Sequence, residues 1–195
     1  MTSAAQGPGV YAALIHYPVY NKRMEVVSTS VTNVDLHDLS RCAATYGVKR
    51  FFVVHPLSTQ RRLVEEITSY WQEGYGSGYN SDRREAFSLV EVTDSIARAV
   101  DQILAAEGRK PKLVTTDART FPNSINYIGL RRLIEAGEDP YLILFGTGWG
   151  LTQEEMTAAD YILEPVYGTG EYNHLSVRSA VAIILDRLMG EKWWV

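Results

Sequence analysis

The sequence predicts an α/β fold with a mainly parallel six-stranded sheet and helices on both of its faces. Apolar runs rich in Val, Ile, Phe and Tyr alternate with amphipathic helical patterns throughout the chain, and this alternation favours parallel strands covered by helices. The chain has 195 residues, which is enough for one full core at roughly 100–200 residues per domain. We therefore expect a loose lead-in over residues 1–9 and a single domain over residues 10–195.

Six runs have the composition of strands. They cover Val10–Tyr17, Arg50–His55, Ser88–Val92, Lys112–Thr115, Tyr141–Phe145 and Tyr161–Leu163. The helical patterns cover Asn33–Tyr46, Ser58–Gln72, Asp94–Ala106, Ser124–Ala136, Thr152–Ala158 and Leu175–Met189. The first helix has an apolar stripe at the three- and four-residue spacing of a helix face that lies on a sheet. The members of this stripe are Leu39, Cys42, Ala43 and Tyr46.

The composition argues against several classes of protein. A single cysteine cannot form an internal disulfide, and no apolar run approaches the ~20 residues of a membrane span. The first ten residues lack the basic start and apolar stretch of a secretion signal, so the cytoplasm is the expected location. The four histidines are scattered and do not have metal-ligand spacing, so we expect no metal site.

Charge is unevenly distributed along the chain, although the net charge is only −4. Residues 108–132 contain six basic residues and one acid, whereas residues 133–171 contain eight acids and no Lys or Arg. The two tracts are either solvated faces or parts of a nucleic-acid interface. The sequence leaves both interpretations open.

The segment Glu73–Glu85 does not fit the alternation of strands and helices. It combines three glycines with two tyrosines and two arginines, a composition that favours a mobile loop. Arg83 and Arg84 could clamp a phosphate while Tyr75 or Tyr79 stacks on a base. An ordinary surface loop is the alternative.

A glycine-rich motif, Phe145–Leu151, follows the fifth strand and precedes a short helix. It is similar to a dinucleotide-binding turn, and Glu164 stands where an acid would meet a ribose. The short helix and the late position in the chain argue against that interpretation. A second glycine turn lies at residues 167–170, so both loops could close on one ligand. The last helix is expected to start near Asn173 or His174, with Asn173 the better N-cap.

Taken together, these motifs resemble the SPOUT superfamily of S-adenosylmethionine-dependent RNA methyltransferases. The segments LILFGTGWGLTQEE and YILEPVYGTGEYNHLSVRSAVAIILDRL are similar to its last two motifs. The segment NVDLHDLSRCAATYGVKRFFVVHP is similar to its first motif, in which a helical arginine precedes a glycine and a strand. The resemblance covers nearly the whole chain. It is strongest to a bacterial branch of predicted RNA methyltransferases related to a domain found beside tRNA guanine methyltransferase.

The resemblance implies a C-terminal trefoil knot, an RNA substrate with tRNA favoured, and S-adenosylmethionine bent among three loops. By position, the cofactor-binding residues would be Thr115, Thr116, Asp117, Phe145, Gly146, Thr147, Gly148, Ile162, Leu163, Pro165, Tyr167, Gly168, Asn173, Leu175 and Ser176. Backbone amides and carbonyls would hold the adenine, and a sulfonium prefers carbonyl or acidic surroundings.

The resemblance also places Arg41 near the methyl acceptor. A guanidinium has a pKa above ~12, so it would orient the acceptor or a phosphate rather than remove a proton. An ion pair with Asp38 is the structural alternative. His174 ionises near neutral pH and is a candidate acid or base, although a capping role is at least as well supported. His16 and His55 fall inside strand patterns, and we expect structural roles for both.

A homodimer is a further implication of the resemblance. In a dimer, Arg83 or Arg84 of one chain could approach the cofactor pocket of its partner. Trp193 and Trp194 at the chain end could seal the dimer interface or fold back onto their own domain.

Two other functions remain open from the sequence. One is a non-catalytic module that binds S-adenosylmethionine, and the other is a nicotinamide-dependent oxidoreductase. The calculated pI of about 5.6 is low for an RNA-binding protein, so a positive surface would have to be assembled locally.

Overall fold

The computed structural model describes residues 9–170 and 172–192. Its strands are β1 (Val10–Ile15), β2 (Val19–Tyr20), β3 (Val26–Val27), β4 (Phe51–Val54), β5 (Val90–Thr93), β6 (Lys112–Thr116), β7 (Ser124–Ile125), β8 (Tyr141–Gly146) and β9 (Tyr161–Leu163). Its helices are α1 (Asn33–Thr45), α2 (Ser58–Gln72), α3 (Tyr75–Tyr79), α4 (Ser81–Phe87), α5 (Ile96–Glu107), α6 (Tyr127–Ala136), α7 (Gln153–Ala158) and α8 (Val177–Met189).

The main sheet confirms the predicted parallel α/β class, with seven strands rather than six. Its order is β5-β4-β1-β8-β6-β9-β7, and every paired strand is parallel to its neighbour. From β1, the strands β4 and β5 follow one another toward one edge of the sheet. The later strand β8 lies on the other side of β1, between β1 and β6. In open parallel sheets, a crevice forms at the carboxyl edge where the strand order reverses. That edge is where the ends of β1, β6 and β8 meet.

The two faces of the sheet carry separate cores. One is covered by α1, α2, α4, α6 and α8, and it includes Leu14 and Phe51. The other is covered by α5 and α7, and it includes Ile15 and Leu142. All six residues of β1 are buried, because a central parallel strand has helices or loops on both sides. The predicted stripe of α1 is confirmed: Leu39 and Ala43 are buried, and Cys42 and Tyr46 pack against the same core.

Two predicted helix starts were wrong, and one pair of strands was missed. The helix predicted from Ser124 begins at Tyr127, because Ser124 and Ile125 form the short edge strand β7 against β9. The last helix begins at Val177 with Ser176 as its N-cap, whereas the side chain of Asn173 donates to the Ala118 carbonyl oxygen at 2.8 Å. The antiparallel hairpin of β2 and β3 was not predicted, since two-residue strands are too short to show an alternating pattern.

The predicted loop over residues 73–85 is also wrong, because most of it forms α3 and α4. The Asn80 side chain accepts a hydrogen bond from the Arg83 backbone N–H at 2.9 Å and caps α4. A Cβ atom at Gly76 would lie 2.7 Å from the Trp71 ring. This glycine therefore permits close helix packing rather than mobility.

Within the described ranges, no helix is long and apolar enough to cross a membrane. The same residues contain no group of three or more His, Cys, Asp or Glu side chains able to hold a metal ion. Residues 1–8 and the two terminal tryptophans, Trp193 and Trp194, lie outside the described residues, so the expectations for them stay predictions.

Candidate active site

A cavity of about 830 Å³ lies at the carboxyl ends of β1, β6 and β8. Its walls come from the end of β1, the segment after β3, the loops after β6 and β8, and the first turns of α8 with the residues before them. This volume is in the range of pockets that bind small organic ligands.

Ten of the sequence-predicted site residues line this cavity. They are Thr116, Asp117, Phe145, Gly146, Thr147, Gly148, Asn173, His174, Leu175 and Ser176. Residues from three separate segments of the chain thus meet in one place, because parallel strands bring their carboxyl ends to one edge.

Six predicted cofactor residues lie outside the cavity lining. Ile162, Leu163 and Pro165 are buried in or beside β9. The Thr115 hydroxyl donates to the Tyr161 carbonyl oxygen at 3.3 Å. Tyr167 is exposed, with its hydroxyl 3.0 Å from that of Thr120, and Gly168 is exposed nearby. A role for these six in cofactor binding stays a prediction.

The loop after β8 requires its glycines. A Cβ atom at Gly146 would lie 2.9 Å from the backbone nitrogen of Leu151. Gly148 has a φ of +60°, and a Cβ there would lie 2.8 Å from the Tyr20 carbonyl oxygen. The same oxygen accepts a hydrogen bond from the Trp149 backbone N–H at 2.9 Å. The hairpin of β2 and β3 therefore holds the glycine loop in a tight turn. At Gly146 and Gly148 this turn leaves no room for a side chain.

The predicted catalytic residues occupy different places. Arg41 is exposed on α1 and lines a second depression of about 440 Å³, which shares Ser176 with the larger cavity. Asp38, the alternative ion-pair partner proposed for Arg41, instead lies 3.6 Å from the Arg178 guanidinium. His174 is exposed in the cavity wall, with its ring edge-on to Tyr172. His174 does not cap α8, because Ser176 does.

Arg83 and Arg84 lie outside the lining of the cavity in the same chain. The Arg83 guanidinium lies 4.5 Å from the centre of the Trp71 ring, a cation–π contact, whereas Arg84 is exposed. Tyr75 and Tyr79 are 80% and 74% exposed, and their rings stack on each other at 6.4 Å. The two tyrosines belong to α3 and the two arginines to α4.

The two acidic side chains in the cavity wall are each paired with an arginine. Asp117 accepts two hydrogen bonds from the Arg119 guanidinium, at 2.9 and 2.8 Å. Asp35 accepts from the Thr32 hydroxyl at 2.6 Å and lies 3.5 Å from Arg178. A cationic ligand would therefore meet carboxylates whose charge is already partly balanced.

The oppositely charged tracts are partly paired with each other. Arg109 pairs with Asp139, Lys112 with Asp160 and Arg131 with Glu135. The paired side chains are 28–58% exposed, except for Arg131 at 11%, so most of these contacts are partly exposed ion pairs of modest strength. Much of the positive charge in residues 108–132 is thereby offset by neighbouring acids.

His16, for which the sequence predicted a structural role, is one of the cavity residues that the sequence did not assign to the site. It follows β1, is only 1% exposed, and lines the cavity. Its Nδ1 atom lies 2.9 Å from the Thr29 hydroxyl, which lies 2.5 Å from the Thr147 hydroxyl. Its Nε2 atom is buried without a hydrogen-bond partner among the described residues. The signal in the sequence was a polar residue at the end of a wholly apolar strand, at the edge where parallel sheets bind ligands.

A parallel α/β sheet with a glycine-lined cavity at its carboxyl edge defines the class of nucleotide- and cofactor-binding proteins. Comparison with known proteins narrows this class. A family described as SAM-dependent RNA methyltransferase matches residues 9–190. The chain belongs to this family, and S-adenosylmethionine is its cofactor.

Two similar proteins illustrate the family. A protein of Aquifex aeolicus (strain VF5) is 44% identical over 179 residues, covering 92% of this chain and 87% of that protein. The tRNA (guanine-N(1)-)-methyltransferase of Nitratidesulfovibrio vulgaris is 42% identical over 185 residues, covering 95% of this chain. The chain spans only 43% of the length of that relative.

The fold also matches a solved structure with cofactor bound. The SpoU methyltransferase AviRb from Streptomyces viridochromogenes, in complex with AdoMet, has a TM-score of 0.55 at 16% identity. The match covers 96% of this chain and 61% of AviRb. The expected S-adenosylmethionine-dependent RNA methyltransferase family is confirmed by the family match, and the fold is similar to that of a SpoU methyltransferase. The structure also weakens the oxidoreductase alternative. Glu164, the acid that would bind a ribose in that interpretation, instead accepts a hydrogen bond from the Tyr127 backbone N–H at 3.0 Å.

The residues of the cavity fit an adenosyl cofactor. The glycine loop lets a ligand approach the backbone closely, and the buried Nε2 atom of His16 lacks the donor that a ligand would provide. S-adenosylmethionine supplies an activated methyl group on a sulfonium, so the protein has to align the acceptor and accommodate its proton.

The stability of the fold should depend on the ionisation of His16. Burial, followed by the neighbouring His55, lowers the pKa of His16 from 6.5 to about 4. Between these values the unfolded chain binds a proton that the folded chain does not, so stability rises with pH. At about 1.4 kcal/mol per pKa unit, the stability of the wild type relative to His16→Gln should fall by about 3 kcal/mol from about pH 7 to about pH 4. Urea unfolding of both proteins across this range measures the difference, and a constant difference would contradict the prediction.

Proposed function

We propose that this chain transfers the methyl group of S-adenosylmethionine to tRNA and binds the cofactor in the cavity at the carboxyl edge of the sheet. The observation that carries the proposal is the meeting of ten sequence-predicted residues, from three segments, around this one cavity. The tRNA substrate is supported by similar proteins named tRNA (guanine-N(1)-)-methyltransferase. Because the chain spans 43% of their length, the substrate is carried over as part of the proposal.

We assign the binding of the cofactor chiefly to the glycine loop after β8. Its turn exposes backbone groups to the cavity, and such groups can hydrogen-bond an adenine without side chains. Thr116 and Asp117 would flank the ligand from β6, and Leu175 and Ser176 from the start of α8. Neutral and carbonyl groups, rather than unpaired carboxylates, would surround the sulfonium.

We assign the acceptor to the side of the cavity that faces Arg41. Arg41 is exposed, and its depression adjoins the cavity at Ser176. A guanidinium there can hold a phosphate or a base in place by paired hydrogen bonds. His174, exposed in the cavity wall, is placed to accept or return a proton.

A homodimer and a C-terminal knot complete the proposal. The segment between β9 and α8 contacts the loop after β6 at Ala118 and Thr120, and this contact supports the proposed knot. The exposed residues Tyr75, Tyr79 and Arg84, together with the partly buried Arg83, would then serve the acceptor of a partner chain. The expected cytoplasmic location suits a tRNA substrate.

Gly146→Val should abolish binding of S-adenosylhomocysteine. The added side chain would meet the Leu151 backbone and project where the loop borders the cavity. Isothermal titration measures the affinity. Gly78→Ala is the matched control, because a Cβ there meets nothing within 4 Å and should leave affinity within about twofold. Equal affinity of Gly146→Val and wild type would contradict the placement of the cofactor.

Arg41→Ala should reduce methyl transfer by at least about 100-fold while leaving cofactor affinity within about twofold, since a lost bidentate contact of several kcal/mol acts only on the acceptor. Transfer of labelled methyl groups to total tRNA gives the rate, and titration gives the affinity. Arg62→Ala on α2 is the control, because its side chain is 79% exposed and pairs with Glu66.

The outcomes for Arg41→Ala separate the alternatives. Loss of affinity together with activity would contradict the division of roles between Arg41 and the glycine loop. Cofactor binding by the wild type with no methyl transfer to any tRNA would instead favour the non-catalytic binding module.

A dimer should have about twice the monomer mass of 21.9 kDa. Light scattering coupled to size-exclusion chromatography measures this mass at concentrations above and below micromolar. A monomeric mass throughout would contradict the proposed homodimer and, with it, any role for Arg83 and Arg84 in the site of a partner.

A further inference from the structure

The ring of His16 lies in the cavity wall, with one nitrogen in a hydrogen-bond network and one buried nitrogen that has no partner among the described residues. Nδ1 lies 2.9 Å from the Thr29 hydroxyl oxygen. Nε2 is buried, and no described residue hydrogen-bonds it. Buried polar atoms in proteins are nearly always paired, so an unpaired ring nitrogen in a cavity wall points to a ligand that supplies the missing partner.

The network fixes which nitrogen carries the proton. The Thr147 hydroxyl donates to the Ile15 carbonyl oxygen at 2.9 Å, because a carbonyl has no proton to give. Thr147 has only one hydroxyl proton, so the Thr29 hydroxyl must donate to Thr147 across their 2.5 Å separation. Thr29 has then no proton left for His16. The Nδ1 atom of His16 therefore donates to Thr29, and Nε2 carries a lone pair.

The surroundings keep the ring neutral. His16 is 1% exposed, and its ring centre lies 5.6 Å from that of His55. The Nε2 atom of His55 lies 2.9 Å from the Thr29 carbonyl oxygen, and its Nδ1 accepts from the Leu57 backbone N–H at 3.1 Å. Burial and this second ring both lower the pKa of His16. The Nε2 lone pair is thus present at neutral pH as a hydrogen-bond acceptor.

We propose that His16 Nε2 accepts a hydrogen bond from S-adenosylmethionine bound in the cavity, with Thr29 and Thr147 as positioning residues. This inference rests on the proposed cofactor site. Thr147 belongs to the glycine loop, so the network ties the ring to the backbone that approaches the ligand. The adenine amine, the ribose hydroxyls and the α-ammonium of the cofactor are all suitable donors.

The test compares two histidines that each have one buried ring nitrogen without a partner among the described residues. His16→Phe retains a ring but removes the acceptor. His37→Phe is the control, because the Nδ1 atom of His37 is also buried and unpaired among the described residues, but its ring packs on Trp71 and Phe87. Titration with S-adenosylhomocysteine, which has all three kinds of donor, should give about tenfold weaker binding for His16→Phe, the size of one lost hydrogen bond. His37→Phe should change affinity by less than about twofold.

A second ligand identifies the donor. 5′-Methylthioadenosine has the adenine and ribose but no amino-acid group. A tenfold loss with both ligands would assign the donor to the adenosine part, whereas a loss confined to S-adenosylhomocysteine would assign it to the ammonium. Either result supports the inference. Wild-type affinity of a folded His16→Phe for S-adenosylhomocysteine would overturn it.

A measurement on the wild type covers the case in which His16→Phe does not fold. In ¹⁵N spectra of the histidine rings, the Nε2 signal of His16 should have the position of an unprotonated nitrogen and shift when S-adenosylhomocysteine saturates the protein. An unchanged signal at saturation would overturn the inference alone. Failure of the wild type to bind the ligand at all would instead overturn the proposed function on which it rests.

Discussion

The pairing of β1 with β8 is the constraint on which the rest of the site depends. The two strands align over six residue pairs, from Val10 with Tyr141 to Ile15 with Gly146. This register places the Ile15 carbonyl oxygen beside Thr147, which donates to it from both backbone N–H and hydroxyl at 3.2 and 2.9 Å. A slip of one residue would turn every buried side chain of β8 to the opposite face. The two apolar cores therefore hold the glycine loop and His16 in register.

The acidic character of the chain is compatible with an RNA substrate because several of its arginines are paired with carboxylates, whereas Arg41 is exposed beside the cavity. Arginines in the cavity wall and on the surface are offset by neighbouring carboxylates, as Arg119 is by Asp117 and Arg109 by Asp139. Arg41, in contrast, is exposed beside the cavity. In the proposed function, this local cation beside the cavity orients a phosphate without a basic surface over the whole protein. We expect weak non-specific binding to RNA from this arrangement.

Features with a long pattern could be predicted from the sequence, whereas features that depend on a few tertiary contacts could not. The hydrophobic patterns of the central strands and of α1 are long enough to predict where these elements lie. The glycine motif predicted the loop after β8. The glycines of residues 73–85 suggested mobility, but Gly76 is required by its contact with Trp71. The two-residue strand β7 gave no periodic signal.

The site was predictable in its backbone but not in its hydrogen bonds. Gly146 and Gly148 could be identified because a tight turn has a sequence signature. His16 could not, since its role depends on Thr29 and Thr147, which lie 13 and 131 residues further along the chain. Similarly, Asp38 stands at helical spacing from Arg41 but pairs with Arg178 of α8. Such partners are chosen by packing between elements, which no local pattern encodes.

The most direct test of this account is a crystal structure of the full chain with S-adenosylhomocysteine bound. We expect the ligand between the glycine loop after β8 and the start of α8, with a donor of the ligand within hydrogen-bond distance of His16 Nε2. A ligand bound elsewhere, with this cavity filled only by ordered water, would contradict the assignment of the cofactor site.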